Sequence, residues 1–304
     1  APVTNGPEQA GRLRSQGLLA ANRFYAYANE SYVRPSKCGR SAGRISRIAQ
    51  EPDCGKIRDM KVWNAARIKA SKGTVKLPCL TAYDYICSRL ADAAGIPLLL
   101  VGDSLGNTVL GFKSTLPVTM EIMLHHTAAV ARGARDALVV ADMPFLSYQV
   151  SDSEAIRNAG RFLQEAGADA VKLEGGQFRA ALIETLTLNG IPVLGHIGLT
   201  PQSVNVLGGY KVQGRTPEAG EQLVADARAL AEAGAFAVVL ECVPPDVARR
   251  VTESCPVPII GIGAGPDCDG QVLVLNDFLG LSEGAPPKFV KTYASLAETL
   301  LDAF

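Results

Sequence analysis

Two ten-residue stretches, "EAGADAVKLE" at residues 165–174 and "EAGAFAVVLE" at residues 232–241, agree at eight of their ten positions. Each stretch combines the end of a predicted helix, a glycine and a predicted strand, and the strands end in Glu174 and Glu241. A repeated helix–glycine–strand unit is typical of folds built from alternating helices and parallel strands. We therefore expect the two glutamates to occupy equivalent places on two strands of one sheet.

The same alternation extends outward from the repeat along the chain. Short apolar runs lie at residues 74–82, 96–103, 137–144, 169–176, 191–198, 236–243, 257–265 and 271–278. Parallel strands that are buried on both faces have nearly continuous apolar sequences of this kind. Amphipathic helices are predicted between them, for example at 152–167 and 221–234. Eight such units predict an α/β fold, a (β/α)8 TIM barrel over residues 60–304, and the alternative is an open doubly wound sheet.

The composition excludes several classes of protein. Formal net charge is zero, with 30 basic and 30 acidic residues, so no nucleic-acid-binding surface is indicated. No apolar run approaches the ~20 residues of a membrane span. Seven cysteines without a CxxC spacing argue against a disulfide framework and favour a reducing compartment. The presence of only three histidines argues against a zinc site built from several imidazoles.

Residues 1–59 differ from this pattern. They contain ten basic and five acidic residues, a net charge of +5, and little apolar periodicity. We expect a basic, poorly ordered leader without a role in the barrel. A transit-type segment and translated upstream sequence before Met60 are both compatible with it.

Polar residues follow the apolar runs where strand C-termini are expected, and active sites of barrels lie at that end. Any one acid there could be a helix cap or a loop residue. Four carboxylates at one mouth would repel one another, and a divalent cation relieves that repulsion. Oxygen ligands without cysteine or histidine favour Mg²⁺. The residues concerned are Asp103, Asp142, Glu174 and Glu241, with Asp84, Ser104, Lys172 and His196 as further polar candidates.

A metal held by a few carboxylates can chelate a 2-oxo acid and stabilise its enolate as a Lewis acid. Lys172 lies two residues before Glu174, so strand alternation puts both side chains on one face. Lys172 could bind a substrate carboxylate or form a salt bridge with Glu174, and the two roles are compatible. A carboxylate that does not bind the metal could act as a general base.

Weaker candidates remain open at this point. His196 ends a strand and is either a site residue or a hydrogen-bonded core residue, whereas His125 and His126 are predicted to be structural. The segment "GGYKVQGR" at 208–215 lacks phosphate-loop spacing and is compatible with a mobile lid. The glycines of "GIGAGP" at 261–266 lack the surroundings of a dinucleotide loop, and we expect them to let the backbone approach a ligand.

Several motifs together resemble one known family. They are "LTAYDY", "VGDSLGNTVLGFKSTLPVT", "ADMPF", "VKLEGG", "GHIGLTPQSVNVLGGYKVQGR", "LECVP" and "GIGAG", in chain order between about residue 74 and about residue 293. This pattern resembles the 3-methyl-2-oxobutanoate hydroxymethyltransferase (ketopantoate hydroxymethyltransferase) family. The resemblance implies a barrel of the phosphoenolpyruvate/pyruvate type, a homodecamer, and transfer of a hydroxymethyl group from 5,10-methylenetetrahydrofolate to 3-methyl-2-oxobutanoate. The implied product is 2-dehydropantoate, a precursor of pantothenate and coenzyme A.

The resemblance also implies roles for individual residues. Asp103 of "VGDS" and Asp142 of "ADMPF" resemble metal ligands that also contact substrate, and Glu174 of "KLEGG" resembles a third ligand. The substrate carboxylate would contact Ser104 and Lys172, with His196 nearby, and Glu241 of "LECVP" resembles the proton acceptor. The leader and the end of the chain at Phe304 depart from the family pattern, and the departure bears on oligomer contacts rather than on the site.

Two other functions are compatible with the residues. One is an Mg²⁺-dependent carbon–carbon lyase or mutase of the same barrel superfamily, which folate-free cleavage would reveal. The other is a non-catalytic binding protein, which usually lacks one of the metal carboxylates. We expect small-molecule substrates, a homo-oligomer, no nucleic acid and no membrane, and a cytoplasmic location with the mitochondrion as the alternative.

Overall fold

The protein is described by a computed structural model, which covers residues 61–282 and 287–304. The predicted leader at 1–59 lies outside these residues. Eight strands form a closed barrel in which every neighbouring pair is parallel, including β1 with β8. Closure confirms the barrel and makes the alternative of an open sheet wrong. The strands are β1 (Leu77–Thr81), β2 (Leu98–Val101), β3 (Leu138–Asp142), β4 (Ala170–Glu174), β5 (Val193–Gly198), β6 (Ala237–Glu241), β7 (Ile259–Ile262) and β8 (Gly270–Leu273).

Helices surround this barrel and connect its strands. They are α1 (Ala65–Ala70), α2 (Tyr85–Ala93), α3 (Leu105–Thr108), α4 (Met120–Gly133), α5 (Asp152–Gln164), α6 (Ala180–Leu188), α7 (Val204–Leu207), α8 (Pro217–Glu232), α9 (Pro245–Ser254), α10 (Leu275–Leu279) and α11 (Leu296–Ala303). Two short 3-10 helices, Gln177–Arg179 and Pro201–Ser203, follow β4 and β5. None of the helices in the described ranges has the length and apolarity of a transmembrane segment.

The helix boundaries follow from local sequence signals. Ser151 caps α5 by accepting a hydrogen bond from the Glu154 N–H, and Thr216 caps α8 in the same way with Pro217 at the first helical position. Side-chain acceptors at the N-cap satisfy N–H groups that have no partner inside the helix. Helix α8 therefore begins four residues before the predicted 221–234, because the Thr-Pro pair is a stronger start signal than the apolar periodicity.

Apolar side chains form two layers around the sheet. The inner layer fills the barrel with residues such as Leu98, Leu100 and Val140, and Ile68 of α1 closes its N-terminal end, which we call the floor. The outer layer lies between the sheet and the helices and includes Phe162 of α5. The interior of the described barrel is therefore packed, and the opposite end of the barrel, which we call the mouth, contains the cavity described below.

The cysteines of the described ranges are Cys79, Cys87, Cys242, Cys255 and Cys268, and all five are free. This agrees with the expected absence of a disulfide framework for these residues. Burial raises the pKa of the Cys268 thiol to about 11, so it stays protonated at neutral pH.

Candidate active site at the barrel mouth

The mouth contains a central cavity of about 370 Å³. Its polar lining includes seven of the eight polar candidates named from the sequence, all except Asp84: Asp103, Ser104, Asp142, Lys172, Glu174, His196 and Glu241. The two glutamates of the repeat thus face one cavity, as their equivalent positions predicted. Asp103 lies one residue beyond Gly102 after β2, whereas Asp142, Glu174 and Glu241 are the last residues of β3, β4 and β6.

Lys172 lies among the carboxylates. Its Nζ is 2.9 Å from Asp142 Oδ1 and 4.0 Å from Glu174 Oε1, which confirms that the Lys172 and Glu174 side chains share a face. Burial alone would lower the pKa of Lys172, but Asp142, Glu174 and Asp103 raise it above its ordinary value. The ammonium is therefore a fixed positive charge in the cavity.

The aspartates are less well compensated. Burial, followed by the charges of Asp142 and Glu174, raises the pKa of Asp103 well above its ordinary value. Burial also raises the pKa of Asp142, although Lys172 opposes the shift. Both carboxylates are almost completely buried, so their ionised forms need a further positive charge.

His196 links the two sides of the cavity. Its Nδ1 lies 3.0 Å from Lys172 Nζ, and its Nε2 lies 3.2 Å from Glu241 Oε2. Burial and Lys172 lower the pKa of His196, but the contacts with Glu174 and Glu241 raise it to about 9. His196 also opposes the effect of burial on Glu174, whose pKa is below its ordinary value. The structure places His196 among the site residues.

Gln202 was missed by sequence reasoning, although it organises two of the carboxylates. Its Nε2 donates to Asp103 Oδ2 and to the Met143 carbonyl, both at 2.9 Å. Its backbone N–H donates to Glu174 Oε2 at 3.1 Å, and its Oε1 accepts from the Tyr148 hydroxyl at 2.8 Å. One buried amide thus fixes Asp103 and Glu174 relative to each other. Its sequence signal was weak because Gln202 lies in a loop motif and not at a strand end.

Ser104 is held by a second network. Its Oγ lies 2.9 Å from the Tyr83 hydroxyl, which accepts a hydrogen bond from Thr81 Oγ1 at 2.8 Å. Thr81 in turn accepts from the Leu275 N–H at 2.9 Å, which connects β1 to the start of α10. The Ser104 hydroxyl is therefore oriented by the barrel itself.

The backbone after Glu241 is unusual. Cys242 has a φ of 50°, a left-handed conformation that non-glycine residues seldom adopt. Its N–H donates to the Ile262 carbonyl and its carbonyl accepts from the Gln213 N–H, both at 2.9 Å. These bonds hold the turn that directs the chain away from β6 immediately after the Glu241 carboxylate.

Three weaker sequence candidates have different outcomes. Asp84 caps α2 by accepting from the Cys87 N–H at 2.8 Å, so it is a helix cap and does not line the cavity. His126 Nδ1 donates to the Tyr83 carbonyl at 2.7 Å, in agreement with a structural role. Tyr210 of the segment 208–215 lines the cavity, and burial followed by Asp103 and Glu241 raises its pKa. The lid remains a prediction.

The expectation for the glycines at 261–266 is wrong. A Cβ on Gly263 would meet the Phe289 ring, and one on Gly265 would meet Pro245. These positions are small because protein side chains pack against them. The residue of this segment that lines the cavity is Ile262.

The acidic cluster has the chemistry of a site for a hard cation, but it is not a complete cage. Within residues 61–282 and 287–304, no three His, Cys, Asp or Glu side chains are grouped closely enough to enclose an ion. Glu174 Oε1 is nevertheless buried without a hydrogen bond from these residues, and the partner of Asp142 Oδ1 is the Lys172 ammonium at 2.9 Å. Mg²⁺ typically uses one or two carboxylates and takes its other ligands from water and substrate. The donor set fits such an ion.

The sequence of this chain is similar to those of known proteins. A family model described as ketopantoate hydroxymethyltransferase matches residues 62–304. A 3-methyl-2-oxobutanoate hydroxymethyltransferase from Syntrophus aciditrophicus is 60% identical over 228 residues, which cover 75% of this chain and 84% of the relative. The protein of the same name from Moorella thermoacetica is 61% identical over 228 residues, covering 75% and 85%.

Solved structures support the fold. The 2,3-dimethylmalate lyase, described as a member of the PEP mutase/isocitrate lyase superfamily, has a TM-score of 0.52 and 17% identity, covering 69% of this chain and 79% of that one. A phosphonopyruvate hydrolase complex with oxalate and Mg²⁺ has a TM-score of 0.51 and 14% identity, covering 69% and 80%. From the family match and the sequence identities, the chain belongs to the ketopantoate hydroxymethyltransferase family of enzymes.

Proposed function

We propose that the protein transfers a hydroxymethyl group from 5,10-methylenetetrahydrofolate to 3-methyl-2-oxobutanoate and releases 2-dehydropantoate. The observation that carries the proposal is the combination, in one cavity, of the Lys172 ammonium, three buried carboxylates and the His196–Glu241 pair. Membership of the family supports the same reaction. A cationic contact for a carboxylate and a base for a C–H bond are what this chemistry requires.

In this proposal Asp103 and Asp142 hold a divalent cation, with Glu174 as a third carboxylate. A related barrel enzyme, phosphonopyruvate hydrolase, was solved with oxalate and Mg²⁺, which supports Mg²⁺ as the choice. The cation would supply Lewis-acid stabilisation of the substrate keto oxygen.

Lys172 and Ser104 bind the substrate carboxylate. Lys172 provides a full charge, and the Ser104 hydroxyl is oriented by Tyr83 at 2.9 Å. Binding the carboxylate at these two points, with Asp103, Asp142 and His196 alongside, directs C3 of the 2-oxo acid toward β6. A fixed orientation of the reacting carbon is itself a large part of the rate enhancement.

Glu241 removes the proton from C3. The electron pair of the C–H bond then forms the C2–C3 double bond of the enolate, and C3 forms the new C–C bond to the one-carbon unit. Both C–N bonds of the methylene bridge break, water supplies the hydroxyl oxygen of the product, and tetrahydrofolate is the leaving group. The raised pKa of His196 favours the protonated ring, so that Nε2, 3.2 Å from Glu241 Oε2, carries a proton that faces Glu241. His196 thus keeps the Glu241 carboxylate oriented toward the cavity.

The test is an assay with 3-methyl-2-oxobutanoate and 5,10-methylenetetrahydrofolate, with and without Mg²⁺. We expect 2-dehydropantoate to form only when all three are present. A metal-loaded protein that forms none would refute the proposal. Cleavage of 2-oxo acids without folate would instead identify a lyase of the same superfamily.

We also propose a homo-oligomer, for which the family resemblance suggests a decamer. Exposed apolar side chains on α2, Ile86 and Leu90, support an association surface. Light scattering of the purified chain tests this, and a monomer at micromolar concentration would contradict it.

A further inference from the structure

A second cavity lies beside the central one and has no role in the steps proposed above. This side cavity has a volume of about 540 Å³ and lies between the segments that follow β4 and β5, with α8 as its outer wall. Its apolar lining comprises Phe145, Phe178, Val206, Leu207 and Leu223. Cavities of this size accommodate drug-sized organic ligands.

Glu174 lines both cavities. The side cavity also reaches Gln202, which holds Asp103, and Tyr148, which donates to Gln202. A molecule in the side cavity would therefore lie next to the carboxylates of the central cavity. This is the position required of a second substrate that delivers one carbon atom to the first.

Arg179 gives the side cavity its chemical character. Its guanidinium carbon lies 5.3 Å from the centroid of the Tyr148 ring and 5.2 Å from that of Phe178. Among the described residues it forms no salt bridge, and its buried Nε has no hydrogen-bond partner. A guanidinium placed against aromatic rings with free donors is suited to a planar ligand that carries a carboxylate.

Two further features agree with a flat aromatic ligand. The Phe178 ring is 76% exposed and Val206 is 90% exposed, so both present apolar surface that has no protein cover within the described residues. Asp226 accepts at one oxygen from the Gln177 N–H at 2.8 Å and from Gln222 at 3.0 Å. Its other oxygen remains available for N–H groups at the edge of a heterocycle.

A third cavity of about 230 Å³ adjoins the central one through Asp277 but is a poorer match. The charged residues in its lining are Asp277 and Glu298. Its lining has no cationic side chain for a carboxylate, whereas the side cavity has Arg179 beside its acids Glu174 and Asp226, and the large apolar side chains of the side cavity have no equivalent there.

We propose that the side cavity binds the folate cosubstrate, with Phe178 against its flat ring system and Arg179 against a ring and a carboxylate. This inference rests on the proposed function, because that reaction needs a donor next to the enolate. Folate has the two properties that the cavity selects, planar aromatic rings and a carboxylate tail. The reaction places its methylene group toward Glu174 and the central cavity.

The experiment is isothermal titration calorimetry of the full chain with 5-formyltetrahydrofolate, a donor analogue that does not transfer its carbon. Arg179→Met is expected to weaken binding about 10-fold or more, the effect typical of a lost charge-assisted hydrogen bond. Phe178→Ala is expected to weaken it about 3-fold to 10-fold. Arg157→Met, at an exposed position of α5, is the matched control and should leave binding unchanged.

Exchange of the C3 hydrogen of 3-methyl-2-oxobutanoate in D2O separates this proposal from the proposed function, because exchange needs no folate. If the unmodified protein catalyses transfer and Arg179→Met raises the KM for 5,10-methylenetetrahydrofolate in parallel with the Kd of 5-formyltetrahydrofolate, the proposal holds.

Three outcomes would contradict a proposal. Unchanged folate affinity in both Arg179→Met and Phe178→Ala overturns the assignment of the side cavity while leaving the proposed reaction intact. A Val206→Asp variant that dissociates an oligomer with unchanged folate affinity also overturns it, and assigns the cavity to a contact between copies. An unmodified protein that neither exchanges nor transfers refutes the proposed function itself.

Discussion

At the floor of the barrel the Asp269 carboxylate accepts hydrogen bonds from Lys72 Nζ at 2.7 Å, the Ile259 N–H at 2.9 Å and the Gly73 N–H at 3.2 Å. At the mouth the Asp103 carboxylate accepts from Gln202 at 2.9 Å and faces two other carboxylates. Both side chains are buried. The Asp269 carboxylate has its hydrogen-bond partners at the ends of the segments that it connects. The Asp103 carboxylate is held in place by Gln202, but its negative charge is not neutralised. The difference separates a carboxylate that stabilises the fold from one that is available to a ligand.

Asp169 repeats the arrangement of the floor. It precedes β4 and accepts from the Val139 N–H at 2.8 Å and from Lys61 Nζ at 2.6 Å. Floor aspartates thus join neighbouring strands where the barrel begins. We expect substitutions at the floor to change stability and substitutions at the mouth to change binding and rate.

The largest effect is expected for Glu241→Gln, which removes the proposed base. The rate of C3 hydrogen exchange should fall about 10²-fold to 10⁴-fold, the usual contribution of general base catalysis. Affinity for 3-methyl-2-oxobutanoate should change little, since the amide keeps the shape of the side chain. NMR in D2O measures the exchange, and Glu232→Gln, an exposed substitution in the same repeat, is the control. An unchanged exchange rate would exclude Glu241 as the base.

The substitutions Asp269→Asn and Asp103→Asn directly test the difference between an aspartate of the floor and an aspartate of the mouth. The first should lower the free energy of unfolding by about 2–3 kcal/mol, because Lys72 loses its charged partner. The second should leave the stability of the metal-free protein unchanged or raise it, because burial and like charges oppose ionisation of Asp103. Urea unfolding in the presence of a chelator measures both. Equal losses of unfolding free energy in the two variants would show that the floor and the mouth do not differ as described.

Gln202→Leu tests whether the Asp103 and Glu174 carboxylates need an external support. Loss of the amide leaves Asp103 without its hydrogen bond, so Mg²⁺ affinity should weaken about 10-fold to 100-fold, as is typical when a partner of a metal ligand is removed. Excess Mg²⁺ should restore much of the rate, which a general loss of folding would not allow. Calorimetric titration with Mg²⁺ measures the affinity, with the exposed Gln164→Leu as control. Identical affinities in the two variants would contradict the role.

The smallest effect concerns pH. A pKa raised by folding, as for Asp103 and Asp142, means that the folded state favours the protonated carboxyl. Its stabilising contribution is present at low pH and is lost as pH rises through the raised pKa. Unfolding of the metal-free protein should therefore become easier as pH increases from about 4, the ordinary pKa of aspartate, toward the raised pKa, and Mg²⁺ should reverse the trend. Because protons compete with the ion, Mg²⁺ affinity should fall by a few-fold per unit of decreasing pH, at most about 10-fold for each proton displaced. A pH-independent affinity would argue against these carboxylates as ligands.

The strand-end residues were predictable because a strand fixes both the position and the direction of its side chains. Asp142, Lys172, Glu174 and Glu241 lie on strands, and alternation along β4 sufficed to place Lys172 beside Glu174. The barrel itself followed from the order of apolar runs and helices, although strand lengths were overestimated. The run at 271–278 contains both β8 and the start of α10.

Loop residues were less predictable, since their contacts depend on packing between distant segments. Gln202 donates to Asp103, 99 positions earlier in the chain, and no local sequence pattern predicts that contact. The glycines at 261–266 were misread for the same reason, because Phe289 and Pro245 come from other parts of the chain. Arg179 follows the motif "VKLEGG", whose Glu174 was predicted to be a site residue. The position of Arg179 between Tyr148 and Phe178 depends on the three-dimensional structure and could not be predicted from the sequence.

The two copies of the repeat differ at only two positions, and each difference falls at one end of the barrel. At the first, Asp169 joins strands at the floor while Phe236 is packed inside the barrel. At the second, Lys172 brings a charge into the cavity while Val239 presents an apolar wall. A protein engineer could exploit this modularity. Exchanging Lys172 and Val239 would move the buried ammonium, the proposed contact of the substrate carboxylate, from β4 to β6.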